Sequence, residues 1–324
     1  MIARSYWAGK RVLVTGGSGF IGSHLVNKLA HKDAEVLIVD QYLRLLDSRN
    51  VTLDIPPAFF CEDIFTLDWT NFLNGKNVDV IFHLAGTANV NYSVENPYPD
   101  FELNVIASIR LLEALRRITW QGIFIFPSSA AVYGNPAKFP VCEDDPTVPI
   151  SPYGVGKLSV ERYVAIYSKL FGLKAASIRP FSIYGPGQDK LVIYDLLNKI
   201  NDNPQEISLF GNGEQVRDFL YIKDLINCMM LIVERGKLNG EAYNLASGNG
   251  ITILELVRLI CSILEVHPKL NFSGSVRPGE PEKWTVDITR MKNLGFIAST
   301  DMQTGLITTI EWFNAFHRGD RCPD

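Results

Sequence analysis

No apolar run in this 324-residue chain approaches the ~18 residues that a membrane span needs. A membrane partner is therefore not expected. The opening segment, MIARSYWAGKR, has no signal-peptide core and leads straight toward a strand, so the expected location is cytoplasmic. Neither sign of charge dominates: 31 Lys and Arg stand against 35 Asp and Glu, for a formal net charge of −4. That balance argues against nucleic acid as a partner. An anionic ligand must be held by a few placed arginines. Cysteine is sparse and scattered, at Cys61, Cys142, Cys228, Cys261 and Cys322. An odd count with no C-x-x-C excludes a disulfide framework and a zinc site and points to reduced thiols. No set of His, Cys or acidic residues has metal-ligand spacing, so no metal is expected. His83, inside an apolar run, reads as a satisfied core residue. Internal repeats and low-complexity segments are also missing.

What the chain does have is 47% hydrophobic residues, enough for a sizeable core, arranged in a repeating order. Short apolar strands are predicted at 11–15, 35–40, 58–63, 79–85, 122–129 and 174–180. Helical patterns fall between them at 20–32, 99–118 and 153–171. DVIFHLA is apolar without alternation, as in a strand covered on both faces. Strand–helix alternation of this kind predicts an α/β fold, a Rossmann-type doubly wound parallel sheet. Beyond about residue 180, Gly, Pro and Asn punctuate shorter elements, with helices expected at 189–201, 223–235, 252–265 and 303–317. The reading is a dinucleotide-binding domain over 1–180 and a smaller mixed α/β substrate lobe over 181–324, some of whose segments return to the large domain.

Two motifs carry chemistry. VLVTGGSGFIGSHL places Gly16, Gly19 and Gly22 between a strand and a helix. Glycines there let backbone approach a pyrophosphate, and the helix start supplies free N–H groups and a positive dipole end. Asp40 ends the next strand, 18 residues beyond Gly22, where a carboxylate can bond ribose hydroxyls and repel a 2′-phosphate. It leans the cofactor toward NAD. Arg44 and Arg49 lie nearby and keep NADP open. In SPYGVGKLSVERY, Tyr153 and Lys157 stand four residues apart, one turn along one helical face. A phenol beside an ammonium is a poised acid/base, although most such pairs are ordinary surface neighbours. A glycine-rich dinucleotide loop in the same chain favours the redox reading.

The glycine spacing, the Y-x-x-x-K pair and the chain length together resemble the extended short-chain dehydrogenase/reductases. The nearest members are the nucleotide-sugar epimerases and dehydratases, in particular the UDP-glucose 4-epimerase-like ones. The resemblance covers about residues 10–317. It implies further cofactor contacts at Phe20 and Ile21 in the glycine motif, Asp63 and Ile64 in CEDIF, Ala85 and Gly86 in HLAG, Asn104 in LNV, and Pro180 in RPFSIYG. It implies that Ser129, in PSSAAVYG, bonds the reacting substrate oxygen. It assigns Arg217 and Arg277 to a diphosphate, a role suited to a bidentate guanidinium. Ser182 stands where an Asn is common, and Trp284 where 4-epimerases border the hexose C2 substituent. A homodimer joined through the two long helices is implied as well.

The chemistry then follows from charge. A tyrosine with a pKa near ~10 must fall by about 3 to act near neutrality, some ~4 kcal/mol. Lys157 and a positive nicotinamide are expected to supply this together. Dehydratases of this family carry an Asp-Glu pair after the Ser, and the related decarboxylases carry a Glu; here Ala130 and Ala131 stand there, and alanine moves no proton. The expectation is an NAD-dependent nucleotide-sugar 4-epimerase, with UDP-hexose favoured. The alternatives are an NAD(P)H-dependent 4-keto-6-deoxysugar reductase and a catalytically silent NAD(H)-binding regulator.

Overall fold

A computed structural model describes residues 5–42, 57–274 and 283–318. The first half runs β1 (Arg11–Thr15), α1 (Phe20–Ala30), β2 (Glu35–Asp40), β3 (Ala58–Cys61), α2 (Trp69–Leu73), β4 (Val80–His83), α3 (Val90–Glu95), α4 (Pro97–Phe101), α5 (Ala107–Arg117), β5 (Ile123–Pro127) and α6 (Pro152–Phe171). The second runs β6 (Lys174–Pro180), β7 (Ser182–Tyr184), α7 (Leu191–Asp202), β8 (Glu206–Leu209), β9 (Val216–Tyr221), α8 (Ile222–Arg235), β10 (Asn239–Leu245), β11 (Gly250–Thr252), α9 (Ile253–Ile263), β12 (Lys269–Phe272), α10 (Thr289–Asn293) and α11 (Met302–Arg318).

Seven parallel strands form the central sheet in the order β3-β2-β1-β4-β5-β6-β10. Successive side chains of a strand point to opposite faces, so an apolar strand feeds two cores. In β1, Val12 and Val14 join one core with Leu25 and Leu29 of α1, while Leu13 joins the other with Leu111 of α5 and Val160 of α6. This is why these strands read as continuous apolar runs. The chain leaves β1 in opposite directions toward β2 and β4, which makes a switch point at the carboxyl ends of β1 and β4.

The predicted strands and helices occur with ends shifted by a few residues at most, save one helix. The long helix expected at 99–118 is instead α4, a wide π turn over Glu102–Ile106, and α5. The strand expected to reach 129 stops at Pro127, and Ala130–Tyr133 forms a 3-10 turn. β10 lies beside β6 at the edge of the large sheet, so the late chain does return to it. The remaining strands form a three-stranded sheet, β11-β9-β7, and a parallel pair, β12-β8. α6 starts cleanly: Pro152 takes the first turn, and the Ser151 hydroxyl accepts from Gly154 N at 3.1 Å.

Candidate active site

The glycine loop is fixed by lack of room. Gly16 turns at φ +68°, and a Cβ there would lie 2.7 Å from Ala85 N. A Cβ on Gly22 would lie 2.1 Å from the Gly16 oxygen, so α1 begins hard against the end of β1. Gly19 caps α1 without any side-chain hydrogen bond, which leaves the first-turn amides for another acceptor. The Ser18 hydroxyl is buried in the loop with no partner. Ser18 N donates to Asp40 Oδ2 at 3.0 Å, which draws the end of β2 to the loop. Uncapped amides, an orphan hydroxyl and an acid at the ribose distance fit a dinucleotide. Half-buried Phe20 and Ile21 open α1. Asp63 follows β3 and accepts from Phe65 N at 2.8 Å, and Ile64 is buried beside it. Ala85 N donates to Thr15 Oγ1 at 3.1 Å, holding the end of β4 against that of β1.

Tyr153 and Lys157 are both buried in the first turns of α6. The Lys157 ammonium lies 5.7 Å from the centre of the Tyr153 ring and 5.2 Å from that of Phe126. The Ser129 side chain sits beside the Tyr153 phenol, close enough to favour its anion, and its hydroxyl accepts from Ala131 N at 3.2 Å. Tyr153 N donates to buried Ser93 Oγ at 3.1 Å, which pins α6 to α3. Burial pushes the Tyr153 phenol up to about 12; the Ser129 side chain pulls it down, and the Asp100 charge pushes it further up. Burial pushes Lys157 down to about 8, against the pull of Asp100. The protein alone therefore does not give the depressed phenol expected above. Among its side chains Ser129, not Lys157, lowers Tyr153.

A cavity of about 590 Å³ is lined by Ser129, Ala130, Ala131, Pro180, Ser182, Phe210 and Arg217. Trp284 lines it too. Its ring packs edge-on against Phe181, with centroids 5.2 Å apart. Trp284 is thus packed on one side while it lines the cavity. Arg277, Arg44 and Arg49 lie outside the described residues.

The geometry agrees with what the chain resembles. The sequence profile described as the NAD dependent epimerase/dehydratase family matches residues 12–246. The chain belongs to this family. Its cofactor is NAD, and it is an NAD-dependent nucleotide-sugar epimerase of the extended short-chain dehydrogenase/reductase type. An uncharacterised UDP-glucose epimerase of Bacillus subtilis is 33% identical over 96% of this chain and 100% of its own. The solved UDP-N-acetylglucosamine 4-epimerase of Methanobrevibacter ruminantium, bound to UDP-N-acetylmuramic acid, is 31% identical with a TM-score of 0.87, covering 95% of this chain and 99% of its own. The UDP-glucose 4-epimerase of Thermotoga maritima, solved with UDP-glucose, is 31% identical with a TM-score of 0.85 over the same shares.

Sequence reasoning missed two residues that the fold brings to this epimerase site. Asp100 is 1% exposed; its Oδ1 accepts from the Thr87 hydroxyl and from Asn104 Nδ2 at 2.9 Å. Thr87 Oγ1 also accepts from Asn104 Nδ2 at 2.5 Å. The only signal was an acid four residues before Asn104, which any surface helix can show. His83 is a satisfied core residue, as read: Nδ1 lies 2.9 Å from Thr15 Oγ1 and Nε2 3.1 Å from Ser108 Oγ. Among the described residues no helix is long and apolar enough to cross a membrane, and no three His, Cys, Asp or Glu gather as metal ligands.

Proposed function

We propose that the chain is a UDP-hexose 4-epimerase that works through a transient 4-keto sugar. One observation carries this reading. The cavity is lined by Ser129, which sits beside Tyr153, and by the next two residues, both alanines. Ionised Tyr153 takes the proton of the C4 hydroxyl while Ser129 bonds the same oxygen. Bound NAD supplies the two-electron carrier that accepts hydride from C4 and gives it back. Lys157, beside the phenol, bonds the nicotinamide ribose. Gly16, Gly19, Phe20, Ile21 and Gly22 hold the pyrophosphate, Asp40 the ribose, and Asp63 and Ile64 the adenine. Ala85, Gly86, Asn104 and Pro180 line the nicotinamide side. Ala130 and Ala131 offer no acid or base for elimination, so the ketone's only route onward is reduction. Rotation of the ketosugar before hydride returns gives the epimer.

In the same lining, Arg217 and Ser182 suit the diphosphate, and the face of Phe210 suits a planar base. Arg277 is assigned to the same anion from its motif alone. These contacts make residues 181–324 the substrate lobe and 1–180 the dinucleotide domain. The two solved neighbours are named for different sugars, so this chain's own residues must choose. Trp284 closes the cavity with a bulky ring, which favours a hexose without an N-acetyl group. The exposed apolar residues along α6, among them Tyr163, Ile166 and Leu170, support a homodimer. A cytoplasmic setting suits a nucleotide-sugar substrate. The test is to incubate the purified protein with UDP-glucose and no added cofactor. Formation of UDP-galactose is expected. Net NAD(P)H consumption with a 4-ketosugar, without interconversion, would instead mark a reductase.

A further inference from the structure

We propose that Asp100 is a positioning residue that keeps Lys157 as an ammonium and fixes Asn104 beside it. Asp100 is buried, and among the described residues no arginine or lysine forms an ion pair with it. A carboxylate buried without a cation costs several kcal/mol unless other interactions offset it. Two hydrogen bonds do part of this, from the Thr87 hydroxyl and Asn104 Nδ2. Because Thr87 and Asn104 also bond each other, the three side chains close a triangle across α4, the π turn and the segment after β4.

The triangle points at Lys157. A Cβ on Gly86 would lie 2.6 Å from Asn104 Oδ1 and 4.0 Å from Lys157 Nζ, so the amide oxygen and the ammonium flank the same small space. Asn104 Oδ1 is buried and has no partner of its own. The other side of Asn104 is fixed as well. Its carbonyl accepts from Ser108 Oγ at 2.7 Å, and Ser108 in turn meets His83 at 3.1 Å. The π turn makes this possible by widening the helix at Asn104.

The ionisable groups around Lys157 are Tyr153 on its own helix, Asp100 on α4 and His83 on β4. Glu161, one turn further along α6, is committed to Arg179. Burial holds His83 down to about 3, so it stays neutral and adds no positive charge. Among the described residues, Asp100 is thus the neighbour whose charge opposes loss of the Lys157 proton. The same charge disfavours tyrosinate until a cation arrives beside Tyr153. It therefore orders the two titrations, with the ammonium held and the phenol waiting for the oxidised cofactor.

The inference rests on Tyr153 and Lys157 being the acid/base pair, but its main test is read without turnover. Label the lysine ε-carbons of the full-length protein with ¹³C and follow the Lys157 resonance, assigned by its loss in Lys157→Arg, against pH. In Asp100→Asn the midpoint is expected to fall from about 8 to about 7 or lower. The alkaline limb of kcat/KM should move the same way. Thr87→Val, which keeps the charge, should lower thermal stability and leave both midpoints in place. A folded Asp100→Asn protein with both midpoints unchanged overturns the proposal and leaves Asp100 a structural tie. If the amide does not fold, Asp100→Ser removes the same charge with a smaller side chain and is read identically. Unchanged turnover in Tyr153→Phe would sink the catalytic reading and leave the NMR result standing.

Discussion

At the scale of single residues, the proposed chemistry depends on a phenol that burial holds protonated. With Tyr153 at about 12 in the protein alone, the base forms only when positive charge arrives with the oxidised nicotinamide. Binding NAD⁺ at about pH 8 should therefore release protons, while binding NADH should release none. Calorimetry in buffers of different ionisation enthalpy reads this directly. Tyr153→Phe should lose turnover by about 10²–10⁴-fold, the usual worth of a general base, and should abolish the proton release. Trp284→Ser should open the sugar end of the cavity. Turnover of UDP-N-acetylglucosamine is expected to rise relative to UDP-glucose, and an unchanged ratio would remove Trp284 as a gate. The placement of Tyr153, Lys157 and Gly22 was legible because motifs fix particular side chains at particular spacings on a strand–turn–helix frame. Asp100 and Thr87 were not legible. Their meaning lies in a three-dimensional triangle with Asn104, and no spacing in the chain announces it.

At the scale of elements, α6 carries the proposed acid/base pair and is tied down twice. Its start is pinned by the Ser93 hydroxyl at Tyr153 N. Two turns later Glu161 meets Arg179 of β6 through two bonds of 3.0 and 2.5 Å, with both side chains buried. The same guanidinium bonds the Tyr133 hydroxyl at 2.6 Å. Removing one partner of a buried ion pair leaves an uncompensated charge. Arg179→Met should therefore cost about 3–5 kcal/mol, and the Glu161→Gln/Arg179→Met double variant should lose clearly less. Chemical denaturation of the wild type and the two variants checks this, and a double variant that loses as much as Arg179→Met would contradict it. Periodicity revealed most elements because burial on both faces gives strands such as β4 their unbroken apolar runs. It could not reveal the π turn at Glu102–Ile106, since one extra residue in a helical turn leaves the apolar stripe nearly intact.

For the whole molecule, the parallel order β3-β2-β1-β4-β5-β6-β10 brings the glycine loop, Asp40 and Ala85 to one edge of the sheet. The large sheet followed from strand–helix alternation. The return of β10 to its edge was only partly legible, because the Gly- and Pro-rich second half hides which strands pair. The proposed dimer belongs to this scale. Leu170 and Ile166 are 64% and 48% exposed on α6, too apolar a face to leave in water. Changing both to Glu should convert a dimer to monomers in light scattering, and a wild-type monomer would refute the proposal.

The central claim is that one sugar carbon is oxidised and then reduced by the same hydride. UDP-galactose deuterated at C4 tests it most directly. The account predicts UDP-glucose that keeps the deuterium at C4, formed without added cofactor and without net NADH. Loss of the label to solvent, or stoichiometric appearance of reduced cofactor, would contradict it.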